Sequence, residues 1–351
     1  MIYRRNSKLI SIGNVKIGGN SAISVQSMCN TDTRNISATV EQINKLADKG
    51  CEIVRLAVLN KDAAEAIKEI VKLSPVPLVA DIHFDYRLAI QCINNGIDAL
   101  RLNPGNIGKR ENVEKVVALA KQQQIPIRIG VNGGSLEKEL LEENIPLSEK
   151  MVKSALKHIQ ILEDLDFDLI KVSLKSSDVL TTIEAYRSIA EKIPYPLHLG
   201  VTEAGTLKGG LIKSSVGLGT LLAEGIGDTI RVSLTEDPTE EVTAGYEILK
   251  SLGLRQHGVN FVSCPTCGRT QIDLIGLAKK VEERFKNLNQ PITIATMGCA
   301  VNGPGEARHA DFGIAGGINE GYIFKKGEII ARVPEHELLD KLEEIIRKSY
   351  E

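Results

Sequence analysis

No stretch of these 351 residues approaches the length of a membrane span, and the apolar region 213–226 is interrupted by serine and glycine. The N-terminal run Met1-Ile-Tyr-Arg-Arg-Asn-Ser-Lys8 is charged and lacks the apolar core of a signal peptide. A cytoplasmic protein without a membrane anchor is expected. A formal net charge of −2 leaves no global basic field, which argues against nucleic acid or an anionic lipid surface as partner. Any anion site must therefore be built locally. Low-complexity segments are absent too. Cysteine is sparse, six in all, and in a reducing compartment these read as thiols or metal ligands rather than disulfides.

What is present is ordinary in bulk, with 42% hydrophobic and 25% charged residues. The length suits two domains, or one large barrel with a smaller module. From residue 22 to about 235 a short β-rich run ends in polar residues and an amphipathic helical stretch follows, repeatedly. The runs are Ile23–Ser27, Glu52–Ala57, Pro77–Asp81, Ala99–Asn103, Ile127–Val131, Leu169–Ser173, Leu197–Val201 and Thr229–Ser233. Between them, Val40, Ile43, Leu46 and Ala47 have helical spacing behind a Ser37 cap. So do Ala63, Ala66, Ile67, Ile70 and Val71, and then Val113, Val116, Val117 and Ala120. Gly50 and Gly96 stand where helices end. Eight such units predict a (β/α)₈ barrel over residues 1–255. An open doubly wound sheet would carry fewer repeats and a glycine fingerprint after its first strand, which is missing.

Past Leu254 the grammar changes. A strand at Val259–Ser263, a helix from Ile272 to about Leu288, a strand at Ile292–Ala295, a hairpin between Gly321 and Val333 and a helix over Glu335–Lys348 make a separate α+β module, 256–351.

Catalytic groups of such barrels project from the C-terminal strand ends. Those ends offer Arg55, Asp81 and His83, Arg101 and Asn103, Arg128 and Asn132, Lys175, Glu203, and Arg231 with Ser233. Planar guanidinium forks suit phosphate oxygens, so converging cations predict a phosphate or diphosphate site. The runs Asn132-Gly-Gly-Ser135 and Gly209-Gly210 are weaker signals, since Gly-Gly more often marks a turn. Glu203, the only carboxylate of Gly200–Gly205, is either a salt-bridge partner or a general acid tuned by its neighbours.

The module brings Cys264-Pro-Thr-Cys267 and Gly298-Cys299-Ala-Val-Asn-Gly-Pro-Gly-Glu306. Three thiolates are one short of a closed zinc or iron–sulfur site, which leaves a position open to exchange. Zinc would need a fourth ligand such as His309, and a C-x-x-C redox pair would not need Cys299. An iron–sulfur cluster uses all three thiolates, and the Gly/Pro-rich loop of Cys299 and Glu306 favours it. The radical-SAM spacing is absent. Cys51 and Cys92 read as buried filler, and Cys29 as a core thiol.

These motifs, together with Val25-Gln-Ser-Met-Cys-Asn-Thr-Asp-Thr33, Ala80-Asp-Ile-His83, Arg101-Leu-Asn-Pro-Gly-Asn106 and Gly200-Val-Thr-Glu-Ala-Gly205, resemble the 4-hydroxy-3-methylbut-2-en-1-yl diphosphate synthase (IspG/GcpE) family, in its bacterial two-domain form. The resemblance implies a TIM-type barrel fused to a [4Fe-4S] domain like the half-domain of sulfite and nitrite reductases. The implied reaction is reductive ring opening of 2-C-methyl-D-erythritol 2,4-cyclodiphosphate, with flavodoxin or ferredoxin as electron donor. It implies Cys264, Cys267, Cys299 and Glu306 as cluster ligands and Arg55, Arg101, Arg128, Lys175, Asn132, Ser233 and Asn302 as substrate contacts. Glu203 is the implied proton donor, and a homodimer with sites formed between subunits the implied assembly. A pterin-type barrel transferase carrying a structural zinc module is the alternative.

Overall fold

The computed structural model describes residues 2–299 and 307–350, and the chain divides into two compact units, Met1–Arg255 and Gln256–Glu351. The first unit opens with an antiparallel hairpin, β1 (Ile10–Ile12) and β2 (Val15–Ile17). Eight parallel strands follow: β3 (Ser24–Met28), β4 (Ile53–Ala57), β5 (Leu78–Asp81), β6 (Ala99–Arg101), β7 (Ile127–Asn132), β8 (Ile170–Lys175), β9 (His198–Leu199) and β10 (Thr229–Ile230). Their order runs β8-β7-β6-β5-β4-β3-β10-β9, and a parallel bridge between Val172 and Leu197 joins the two ends into a ring. This is the expected (β/α)₈ barrel.

Among the described residues nine α-helices lie in this unit: α1 (Ile36–Asp48), α2 (Lys61–Leu73), α3 (Tyr86–Asn94), α4 (Arg110–Gln122), α5 (Lys138–Glu142), α6 (Leu147–Glu163), α7 (Val179–Lys192), α8 (Leu207–Ala223) and α9 (Pro238–Ser251). The predicted apolar stripes face the core; Ala63, Ala66, Ile67 and Ile70 of α2 are all buried. The cap of α1 differs from expectation. Asn35, not Ser37, accepts the Ala38 N–H at 3.1 Å, because the helix begins at Ile36 and Ser37 is already inside it.

The N-terminal hairpin was not legible as part of the barrel. Its Ile10, Ile12 and Ile17 are buried against Ile53, Val79 and Ala99, the first inward-facing residues of β4, β5 and β6. It therefore stoppers the N-terminal end of the barrel with apolar surface. The opposite end, where the strand C-termini lie, is left for chemistry.

The second unit holds a five-stranded mixed sheet in the order β11 (Asn260–Ser263), β12 (Thr293–Met297), β13 (Phe312–Gly316), β14 (Glu320–Lys325), β15 (Glu328–Pro334). The first three run parallel and the last pair forms the expected hairpin. Helices α10 (Leu274–Phe285) and α11 (Leu338–Lys348) cover it, burying Leu277, Val281, Leu342 and Ile346 with Ile294 and Ile314. Among the described residues no helix is long and apolar enough to cross a membrane.

Candidate active site

Side chains at alternate positions of a strand face the same side. In β4 to β8 that rule turns Arg55, Asp81, Arg101, Arg128, Ser173 and Lys175 toward the barrel axis. These residues, with His83, Asn132, Thr202, Arg231 and Ser233, line a cavity of about 200 Å³ at the strand C-termini. Six of the seven barrel contacts expected at sequence level (Arg55, Arg101, Arg128, Asn132, Lys175 and Ser233, with Glu203 the seventh) thus meet around one space.

The cations are held weakly. Arg101 donates from Nη1 to Asp81 at 3.2 Å and from Nη2 to the Gly130 carbonyl at 2.9 Å, while its Nε is buried with no acceptor. Arg128 donates to Ser173 Oγ at 3.3 Å, and its Nε is likewise buried without an acceptor. Arg55 directs Nε and Nη2 at the Met28 thioether, at 3.0 and 2.8 Å, a poor acceptor for a guanidinium. Arg231 is better engaged, bidentate from Nε and Nη2 to Glu241 at 3.0 and 3.2 Å, while its Nη1 points at Met28 Sδ at 3.6 Å. Two glycines make room: a Cβ at Gly130 would lie 2.5 Å from Arg101 Nε, and one at Gly200 would lie 2.5 Å from Lys175 Nζ.

Asp81 is the one carboxylate lining the cavity among the described residues, 3.2 Å from Arg101 and 3.7 Å from Arg55. Burial alone would raise its pKa, but the neighbouring His83 and the charges of Arg55 and Arg101 hold it well below the usual carboxylate range. Burial, reinforced by Arg231 and Arg101 and opposed by Asp81, brings the Arg55 guanidinium down to about 10. Burial also drives Arg128 and Lys175 well below their ordinary values, with neighbouring arginines adding to the shift. Among the described residues, five basic side chains facing one carboxylate form a site that an anion with several oxygens would complete.

Asn103, a strand-end candidate, has another task. Its side chain accepts from the Gly130 N–H at 2.9 Å and donates to the Gly130 carbonyl at 3.0 Å, tying the end of β6 to β7. Glu203 does not line the cavity. It is exposed on the loop after β9, with a left-handed backbone at φ +53° that a non-glycine residue adopts at some cost. Asn302 and Glu306 lie outside the described residues. Lys171 and His198, beneath the cavity, were missed because they read as strand interior rather than strand end.

In the second unit Cys264 follows β11 and Cys299 follows the adjacent parallel strand β12. The two loops are stitched together. Gly298 N–H donates to Cys264 Sγ at 3.2 Å, and Gln271 N–H to the Gly298 carbonyl at 2.9 Å. Cys267 is exposed, and backbone hydrogen bonding at Arg269, with Thr270 and the Arg269 charge, lowers its thiol pKa. An acidified thiol and an N–H···S contact suit thiolate ligation of a soft metal centre. Among the described residues, no group of three or more His, Cys, Asp or Glu side chains is gathered to hold a metal ion. By contrast Cys29, Cys51 and Cys92 are buried, and burial pushes each up to about 12, as core thiols should be.

Residues 7–246 match the family model of the GcpE TIM-barrel domain, and residues 260–348 that of the GcpE protein C-terminal domain. The chain belongs to the GcpE family. It is 60% identical over 340 residues to the 4-hydroxy-3-methylbut-2-en-1-yl diphosphate synthase (flavodoxin) of Geobacter sulfurreducens, covering 97% of this chain and 96% of that one. It is 59% identical over 344 residues to the synthase of the same name from Clostridium perfringens, covering 98% and 99%. Among solved structures, the dihydropteroate synthase of Xanthomonas albilineans in complex with 7,8-dihydropteroate aligns at a TM-score of 0.51 and 12% identity, over 70% of this chain and 98% of that one. This last likeness concerns the barrel fold alone. A pterin-type transferase is not favoured, since the GcpE match extends through the C-terminal domain.

Proposed function

We propose that the chain catalyses the reaction after which its relatives are named, the conversion of 2-C-methyl-D-erythritol 2,4-cyclodiphosphate to 4-hydroxy-3-methylbut-2-enyl diphosphate. Two electrons enter, the ring C–O bond to phosphate breaks, a hydroxyl leaves as water and a carbon–carbon double bond forms. The observation that carries this reading is the excess of basic side chains around the barrel cavity, where Arg55, Arg101, Arg128 and Lys175 meet a single lining carboxylate among the described residues. A cyclic diphosphate supplies the missing negative charge in a form guanidinium forks can grip.

In this reading Asn132 and Ser233 add hydrogen bonds to the phosphate oxygens. Glu203 gives a proton to the departing hydroxyl, reaching the substrate from the rim. Cys264, Cys267 and Cys299 hold a [4Fe-4S] cluster with Glu306 as its exchangeable oxygen ligand, and Asn302 contacts the substrate beside it. When bound, the cluster supplies electrons one at a time. The donor is flavodoxin, as in the names of the relatives, with ferredoxin the other candidate. The enzyme works in the cytoplasm as a homodimer, with the barrel of one subunit and the cluster domain of the other forming each site. An anaerobic assay with the cyclic diphosphate and a chemically reduced flavodoxin tests the reading. Absence of product from iron-loaded protein overturns it.

A further inference from the structure

Below the cavity the barrel interior stays polar. Lys171 lies four residues before Lys175 on the same face of β8, roughly 13 Å back along the strand at the usual rise. It is 2% exposed, and its Nζ has no hydrogen-bond acceptor. Beside it in the register stands Arg128 of β7. Lys175 Nζ is 3.4 Å from His198 Nε2, and His198 Nδ1 is 2.6 Å from Thr229 Oγ1, all of it buried.

We propose that Lys175, His198 and Lys171 form a proton store under the anion site, which fills from solvent when the anion binds; this rests on the diphosphate reading above. An ammonium at Lys171 in the empty barrel would be a buried charge with no acceptor, facing Arg128 and Arg55, with only Asp228 opposing them. The amine is therefore held neutral. Burial and then the charges of Arg128, Arg231 and Arg55 act alike on Lys175, with Glu241 opposed. Burial, first and largest, and then the basic groups around it, of which Arg128 and Arg55 keep their charge, hold His198 neutral. A bound diphosphate reverses the balance of charge above these groups. Their protonated forms become favourable, and water at the mouth supplies the protons. Lys171 and His198 are thus positioning residues, acting through Lys175 and Arg128 rather than by touching the ligand.

The cyclic diphosphate is a clean probe. Each of its phosphorus atoms carries a single strongly acidic hydroxyl, so protons taken up near neutral pH go to the protein. The experiment is anaerobic calorimetric titration of the full-length, cluster-loaded protein at about pH 7.5, in buffers of low and high ionisation enthalpy. The binding heat is expected to vary with the buffer by about one proton taken up per site, and the uptake to shrink as pH falls and the store fills beforehand. Lys171→Met, close in volume, and His198→Gln are each expected to lower the uptake while binding persists. Equal heats in all buffers with binding intact, or full uptake in both variants, would overturn the proton store and leave the substrate reading standing. Failure of the wild-type protein to bind the cyclic diphosphate at all would instead overturn the substrate reading on which the store depends.

Discussion

Replacing Asp81 with Asn removes the only carboxylate that, among the described residues, lines a cavity with five basic side chains, and changes little in shape. Two guanidinium groups lose their partner, Arg101 at 3.2 Å and Arg55 at 3.7 Å. Asp81 is 5% exposed, so water replaces its charge poorly. Breaking a buried pair of this kind costs about 3–5 kcal/mol, mostly as the cost of unpaired buried charge. For a domain of this size that corresponds to a fall in Tm on the order of 10 °C in the ligand-free protein. The sign with pH follows from the depressed carboxyl. Its stabilisation is fully present above the unfolded value of about 4, and is lost as pH falls through the folded value. The gap between wild type and Asp81→Asn should thus hold steady from neutral to mildly acidic pH and narrow only below about pH 4. Added cyclic diphosphate should raise the Tm of the variant more than that of the wild type, because the ligand replaces the lost charge. Differential scanning calorimetry with and without ligand measures both effects. Equal melting temperatures for the two ligand-free proteins would refute Asp81 as the counter-ion of the site.

Replacing Arg101 or Arg128 by Ala should weaken binding of the cyclic diphosphate by ~1.5–3 kcal/mol per lost charge-assisted contact, and Arg→Lys should also weaken it; calorimetric titration reads both. Cys264→Ser, Cys267→Ser and Cys299→Ser should each lose iron and visible absorbance, while Cys51→Ala, in the barrel core, should keep both. Glu203→Gln should retain the cluster spectrum and ligand affinity yet turn over on the order of 10²–10⁴-fold more slowly. Glu306→Ala should alter the resting spectrum before substrate is added, and the reverse pattern would exchange the two roles. A mixture of Glu203→Gln and Cys299→Ser subunits, shown to exchange, should regain activity through the one site that combines an intact barrel with an intact cluster domain; no recovery would place each site within one chain.

Where strands end was legible because period-two apolar runs stop at charged residues, and all eight barrel strands fall on runs read from the sequence. The cations followed, since strand ends are where a barrel displays function. The hairpin at Ile10–Ile17 was missed, although Ile-Ser-Ile-Gly-Asn-Val-Lys-Ile alternates around a Gly-Asn turn. Its role as a stopper depends on Ile53, Val79 and Ala99, which are distant in sequence. The partners of Asp81 were invisible for a similar reason. Arg55 and Arg101 reach it from neighbouring strands, and only the closed ring puts them there. Lys171 escaped notice because a lysine inside a strand ordinarily points to water. Here both faces of β8 are buried.

A barrel interior this polar requires that stability come from elsewhere. The outward faces of the same strands carry Val54, Leu56, Leu78, Ala80, Leu100, Ile127 and Ile129, all fully buried beneath the helices. At roughly 1.5–3 kcal/mol for each large apolar side chain, that layer outweighs several unsatisfied donors within. The stopper at the N-terminal end keeps bulk water from reaching the cations from below, where it would screen them. At the mouth the cations therefore act through a poorly screened interior, and an anion arriving there meets a stronger field than the net charge of −2 would suggest. Relieving the crowding by replacing Arg128 or Lys175 with apolar residues should stabilise the empty barrel while weakening its grip on a diphosphate. The strain among these cations and the affinity of the site thus have one physical origin.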